Sequence, residues 1–250
     1  MKLFSKESDL CAAFIASVPD GWTAYPEAAG FDILLVRKED GFQIGIEAKL
    51  KLNAKVICQI AERTGSWSVM SPGPDCRAVL IPEGASGDLR AVCGLIGVTV
   101  ITQTCTEEQA IKNAKVPWYK RARFTPELPE LHRNKWVNEH WHELAPAERC
   151  AVPDYISDAG AGNSAPVQLT MWKIAAIKIA VTLEKRGYVT RQDFKRHDIS
   201  MSRWTQGGWL FSQGDGTWRA GQRLPDFRAQ HPVNYAEIEA DYEIWKEAST

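Results

Sequence analysis

The chain has 250 residues, 44% of them hydrophobic and 24% charged, with a formal net charge of −1. That composition is expected of a soluble globular protein, long enough for a sizeable core or two small domains. No apolar run approaches the ~20 residues that span a bilayer, so no membrane partner is expected.

The N-terminus "MKLFSKESDLCAAF" starts charged but lacks a long apolar core, so no secretory signal is expected. The six cysteines form no CxxC pair and no compact framework. That usage predicts free thiols and a cytoplasmic location. Charge is unevenly spread. Residues 167–230 hold 11 Lys and Arg against 5 Asp and Glu, a surplus of six, which suggests a polyanionic partner or a solvated basic face.

In chain order, residues 5–18 read as an amphipathic helix, with Ser5 at its N-cap and Leu10, Ala13, Phe14 and Val18 at helical spacing. Two strands are predicted at about 31–38 and 42–52 around Glu39-Asp40-Gly41. Asn53 caps the next helix, which buries Val56, Ile57 and Ile60 and stops near Gly65. A strand at 76–82, a short helix at 87–97 and a strand at 98–102 follow. This is a mixed α/β sheet with helices on its faces. Residues 106–166, with prolines at 117, 126, 129, 146, 153 and 166, read as a connector. Its best helical candidate is "LHRNKWVNEHWHEL", and 158–166 reads as a loop.

From 168 to Gly187 the pattern is a long helix. Thr190 and Asp193 form a capping-box-like pair, Ser200 starts a third helix, and "WLFSQGDGTWRA" reads as a hairpin. Three helices followed by a hairpin is the order of a winged helix-turn-helix. Trp204, Trp209, Phe211 and Trp218 are expected in its core, and "EIEADYEIWKE" on solvated faces.

The stretch "FDILLVRKEDGFQIGIEAKL" (31–50) carries the chemistry. With a turn centred on Asp40-Gly41, Asp32 faces Lys49, and Glu47 is its diagonal neighbour on the same face. Ile44, Ile46, Ala48 and Leu50 face the core. Two carboxylates beside a lysine suit Mg²⁺ or Mn²⁺ and metal-assisted phosphodiester hydrolysis. The plainer reading is a surface hairpin with one Asp–Lys pair.

Asp32 after "GF", followed across a hairpin by Glu47-Ala48-Lys49, resembles the PD-(D/E)xK motif of the restriction-endonuclease-like nuclease superfamily. The family's proline before the aspartate is Phe31 here. The resemblance covers roughly residues 5–105 and implies the family's α-β-β-β-α-β core. It implies Asp32, Glu47 and the Ala48 carbonyl as metal ligands, with Lys49 acting on the attacking water. Glu7 on the first helix and Gln59 on the helix after the motif would complete the catalytic set, and Glu27 is a third acidic candidate. Many relatives act as dimers, so a homodimer is compatible with it.

In the basic block, Arg191, Lys195, Arg196, Arg203, Gln206 and Arg219 are the candidate DNA contacts, with Arg223 after the hairpin and Lys51 and Lys55 beside the nuclease motif. His140 and His142, two apart, make a poor zinc pair on a helix. The expectation is a nuclease-like domain at 1–105, a connector at 106–166 and a winged-helix-like basic domain at 167–250. Its function would be that of a Mg²⁺-dependent deoxyribonuclease, most simply an endonuclease, in a layout resembling phage or mobile-element nucleases. The alternatives are a non-catalytic DNA-binding protein on a nuclease-like scaffold and a protein-interaction adaptor.

Overall fold

A computed structural model of the chain describes residues 3–62, 72–85, 89–113, 123–131, 139–158, 161 and 169–247. The expected stop at Gly65, residues 132–138 of the connector helix, and most of the 158–166 loop lie outside these. Two compact units emerge: residues 1–152 with 160–163, and residues 153–159 with 164–250. Among the described residues no helix is long and apolar enough to cross a membrane.

The first unit is a mixed α/β sheet. Its elements run α1 (Glu7–Ser17), β1 (Trp22–Pro26), β2 (Ile33–Arg37), β3 (Gln43–Ala48), α2 (Ala54–Glu62), β4 (Cys76–Pro82), α3 (Arg90–Leu95), β5 (Val98–Gln103), α4 (Glu107–Asn113) and β6 (Phe124–Thr125). Spatial order follows chain order, β1-β2-β3-β4-β5-β6. The β3–β4 and β4–β5 pairs are parallel and the others antiparallel. Every residue of β3 and β4 is buried, as a strand covered on both faces requires. One face packs Ile33, Leu35, Ile44, Ile46, Ala48, Ala78 and Leu80 against Leu10, Cys11 and Phe14 of α1. The other packs Val79 and Ile81 against Val56, Ile57 and Ile60 of α2. Asn53 caps α2 as expected, its side-chain oxygen accepting from Val56 N at 3.0 Å.

Three features depart from the sequence reading. First, β1 is an additional edge strand. Pro26, its last residue, lacks a backbone N–H and is tolerated at an edge. Second, the β2–β3 register is offset by two: Ile33 pairs with Ile46 and Leu35 with Ile44. Residues 38–41 form the loop, with Arg37 N donating to Phe42 O (2.8 Å) and Gly41, at φ 73°, donating to Arg37 O (2.9 Å). The Asp40 carboxylate accepts from Arg37 Nε (2.8 Å), Arg37 Nη2 (2.7 Å) and Phe42 N (3.1 Å). The register therefore aligns Asp32 with Glu47 rather than Lys49. An even offset leaves each side chain on its expected face.

Third, the described part of 106–152 belongs to the first unit. Its β6 pairs with β5, and Leu128 and Trp141 enter the α1-side core. Residues 139–144 are not helical. Trp141 Nε1 donates to Glu127 O (2.9 Å) and Leu144 N to Asp75 O (2.7 Å), so this segment spends its polar groups on neighbouring chain.

The second unit contains α5 (Met171–Arg186), β7 (Val189–Thr190), α6 (Arg191–Arg196), α7 (Ser202–Gln206), β8 (Leu210–Ser212), β9 (Thr217–Ala220), α8 (Phe227–Gln230), α9 (Pro232–Ala240) and α10 (Tyr242–Trp245). Thr170 caps α5, and Gly187, at φ 84°, ends it. Asp193 accepts from Thr190 N at 2.7 Å, as the capping pair predicts. Beyond the expected three helices and hairpin, β7 joins the sheet in the order β7-β9-β8. Trp204 is fully buried among Phe194, Trp209 and Phe227. Phe211 instead faces solvent, because Leu210 takes the inward position of β8. Within "EIEADYEIWKE", Ile238 and Trp245 are buried, so only part of that run is solvated.

A Cβ on Gly45 would lie 2.6 Å from ring atoms of Phe31, itself buried. Gly45→Ala should therefore cost about 2 kcal/mol in urea unfolding; an unchanged midpoint would refute this contact. His197 packs edge-on to Trp245 (5.4 Å between ring centroids), and burial, then Lys178 and Arg196, depress its pKa to about 4. A depressed folded pKa gives stability that is present above the unfolded value and lost as pH falls. Stability should thus drop by on the order of 2 kcal/mol between roughly pH 6.5 and pH 4. His197→Phe should flatten that slope in pH-dependent melts.

Candidate active site

The first turn of α1 carries Glu7. Asp32 immediately precedes β2, at the exit of a tight turn. Glu27 (φ 53°) and Ala29 (φ 52°) adopt left-handed backbone there, a conformation that costs non-glycine residues free energy and is found at functional sites. Phe31 N donates to Ala28 O (3.0 Å) and Glu27 N to Asp32 O (2.9 Å), closing the turn. Glu47 and Ala48 end β3. Lys49 follows, its N–H donating to Leu80 O of β4 at 2.9 Å, so the parallel ladder still anchors its backbone.

These segments converge on the Lys49 ammonium. Nζ donates to Glu7 Oε2 (2.9 Å) and to the Ala48 carbonyl oxygen (2.8 Å), and lies 3.8 Å from Asp32 Oδ2. Asp32 Oδ2 also accepts from Ala48 N at 2.7 Å, which ties the start of β2 to the end of β3. The Lys49 and Asp32 side chains are 24% and 21% exposed, enough for solvent and a ligand to reach them.

The electrostatics follow from that geometry. Burial works against the Lys49 charge, but the Glu7 hydrogen bond and the charges of Asp32, Glu7 and Glu47 prevail and raise its pKa. Lys49 therefore remains an ammonium near neutral pH. Beneath the acids lies Cys11, fully buried. Burial, followed by the fields of Asp32, Glu27 and Glu7, pushes its thiol pKa up, with Lys49 opposing.

Of the residues expected here, Glu7, Asp32, Ala48 and Lys49 meet at one point. Glu47 is buried and acts on Lys49 through its charge. Gln59 and Lys55 are exposed on α2, and Lys51 is exposed before it; all three stand outside the Lys49 hydrogen-bond set. The register sets Asp32, the first acid of the expected metal bracket, level with Glu47, the second. Among the described residues no group of three or more His, Cys, Asp and Glu side chains is arranged to hold a metal ion. The Lys49 ammonium sits among two carboxylates and a carbonyl.

In the second unit, Arg191, Lys195, Arg203, Gln206, Arg219 and Arg223 are exposed. Arg203 lies over the Trp172 ring (5.4 Å) and Arg191 over Trp218 (5.8 Å). Arg196 is engaged internally, 3.6 Å from the buried Asp193 carboxylate and donating to Lys246 O. Sequence reasoning missed the outward Phe211 and the exposed Tyr188. Strict alternation from Leu210 and Val189 would have signalled both.

Comparison with protein-family models finds no match, and comparison with curated proteins finds none.

The oxygens around Lys49 Nζ are hard donors of the kind Mg²⁺ and Mn²⁺ take. Lys49→Met keeps them and removes the competing ammonium. It should bind Mn²⁺ about tenfold more tightly than the unaltered chain in calorimetric titration. Equal or weaker binding would show that the ammonium does not compete with the ion.

Proposed function

We propose that this chain is a Mg²⁺- or Mn²⁺-dependent deoxyribonuclease of the PD-(D/E)xK type, cutting within DNA, whose second unit is a winged helix that contacts the DNA. The observation that carries this reading is the convergence of Glu7, Asp32, Ala48 and Lys49, from three separate segments, on one partly exposed cationic point. The element order supports it, since α1-β1-β2-β3-α2-β4 is the α-β-β-β-α-β order of that family's core. The β7-β9-β8 sheet closing on α5, α6 and α7 supports the winged-helix reading.

The donors fit a hard divalent ion in kind. Asp32, Glu47 and the Ala48 carbonyl would hold it, with Glu7 beside them. When bound, such an ion acidifies a coordinated water and offsets charge on a phosphoryl oxygen. Lys49, held as an ammonium, acts as a donor: it orients the attacking water and stabilises negative charge developing on the phosphate, and does not abstract a proton. Asp32 is fixed by the Ala48 N–H, which donates to its Oδ2 at 2.7 Å. Exposed Arg203 and Gln206 on α7 supply the duplex contact, and Lys195 and Arg191 neutralise phosphates.

The test compares the unaltered chain with Asp32→Ala and Lys49→Ala on plasmid, linear duplex and branched DNA, with Mg²⁺, Mn²⁺ or EDTA. Cleavage should require metal and fall at least ~100-fold in each variant, with melting temperature and DNA affinity kept. Metal-dependent cleavage that survives Asp32→Ala would overturn the assignment of the site. DNA binding with no cleavage of any substrate would favour the non-catalytic DNA-binding alternative.

A further inference from the structure

The three-stranded sheet of the second unit has one face on its core and one in solvent. Val189, Leu210 and Trp218 pack inward. On the opposite face the register pairs Phe211 of β8 with Arg219 of β9. Val189 pairs with Trp218, so one step earlier the same register sets Tyr188 beside Arg219 from the other side. A row Phe211–Arg219–Tyr188 thus crosses the sheet, neighbours about 5 Å apart. Phe211 is 50% exposed and Tyr188 37%. Arg186 extends the row, its guanidinium 4.4 Å from the Tyr188 ring centroid and its Nε donating to Tyr188 O at 3.0 Å.

Ring and guanidinium therefore alternate along one solvent-facing line. A single exposed aromatic is commonplace, but two on one small sheet face, interleaved with arginines, form a platform that no described segment covers. Its charge has a definite sign. The segment containing it carries the surplus of six positive charges. The carboxylate at the hairpin tip, Asp215, accepts from Thr217 N (2.9 Å) and Thr217 Oγ1 (2.6 Å), which fixes it in place and leaves it anionic. Asp193, the acid nearest Arg186, is buried and paired with it. Flat π-faces beside cations complement a ligand that is flat, apolar on its faces and polyanionic along its edge. Unpaired nucleotides have that chemistry, whereas stacked duplex bases present no free face.

We propose that this face binds an unpaired DNA strand, with bases stacking on Phe211 and Tyr188 and phosphate neutralised by Arg219. The inference rests on the reading that DNA is the substrate, and it narrows that substrate to DNA carrying a single-stranded arm, gap or end. It assigns a second surface, distinct from the α7 residues Arg203 and Gln206 that would meet a duplex.

The test is fluorescence anisotropy with the full chain in EDTA at about 50 mM salt. The probes are an oligothymidylate of about twenty nucleotides, an abasic strand of equal length and a blunt duplex. The unaltered chain should bind oligothymidylate about tenfold more tightly than the abasic strand, a comparison that needs no variant. Phe211→Ala should lose about 5- to 100-fold on oligothymidylate and leave duplex affinity unchanged, while Phe211→Trp retains strand binding. Equal affinity for thymidylate and abasic strands, or duplex binding with no strand binding, would overturn the proposal and leave the nuclease reading standing. Failure to bind either form would overturn both.

Discussion

The site depends on how the loop between β2 and β3 closes. Asp40 accepts hydrogen bonds from the guanidinium of Arg37 on one side and the backbone of Phe42 on the other, so one carboxylate grips both strands. The Arg37 hydrogen bond lowers its pKa to about 2, so the grip persists across neutral pH and fails only in strong acid. Arg37 is itself fixed, its guanidinium 4.5 Å from the Phe42 ring centroid and Nη1 donating to Pro129 O at 2.7 Å. That closure sets the pairing of Ile33 with Ile46. The pairing in turn brings the N–H of Ala48 to Asp32. The distances from Asp32 to Ala48 and to Lys49 inherit this register.

Much of this was legible in the sequence because the strand period is two. The face carried by Ile44, Ile46 and Ala48 follows from alternation alone, and a register offset of two does not disturb it. The offset itself was not legible. It depends on whether Asp40-Gly41 makes a two-residue turn or lies within a four-residue loop, and Arg37 decides that through a contact with residue 129. β1 was missed because Pro26 and a short run disguise an edge strand. Residues 139–152 were read as a connector because their prolines and histidines hide how they are used. Gln43 exchanges two hydrogen bonds with the Cys150 backbone, and Arg149 reaches Asp75, both across long stretches of chain.

Among the site residues, sequence reasoning reached Glu7, Asp32, Glu47, Ala48 and Lys49 by residue type and resemblance. It placed Asp32 beside Lys49, but did not reach the Lys49 bonds to Glu7 and to the Ala48 carbonyl. A lysine beside clustered oxygens satisfies them itself, and the result is a preorganised cation site whose occupant is covalently attached. The Glu7 hydrogen bond and neighbouring negative charge keep that occupant charged against the opposing effect of burial. Arg196 shows the converse. It counts towards a basic face by sequence, yet a buried acid three residues earlier consumes it.

The distribution of sulfur has a consequence for following the two units separately. All six cysteines lie in the first unit; Cys58 is exposed on α2, and Cys11, Cys76, Cys93, Cys105 and Cys150 are buried. A thiol reagent should consume one equivalent from the native chain quickly. The remaining five become available only as the first unit opens, at rates that report its local stability. The second unit is silent to that chemistry. Its core is instead built around Trp204 and Trp209, so loss of order there registers in indole fluorescence with no change in thiol count.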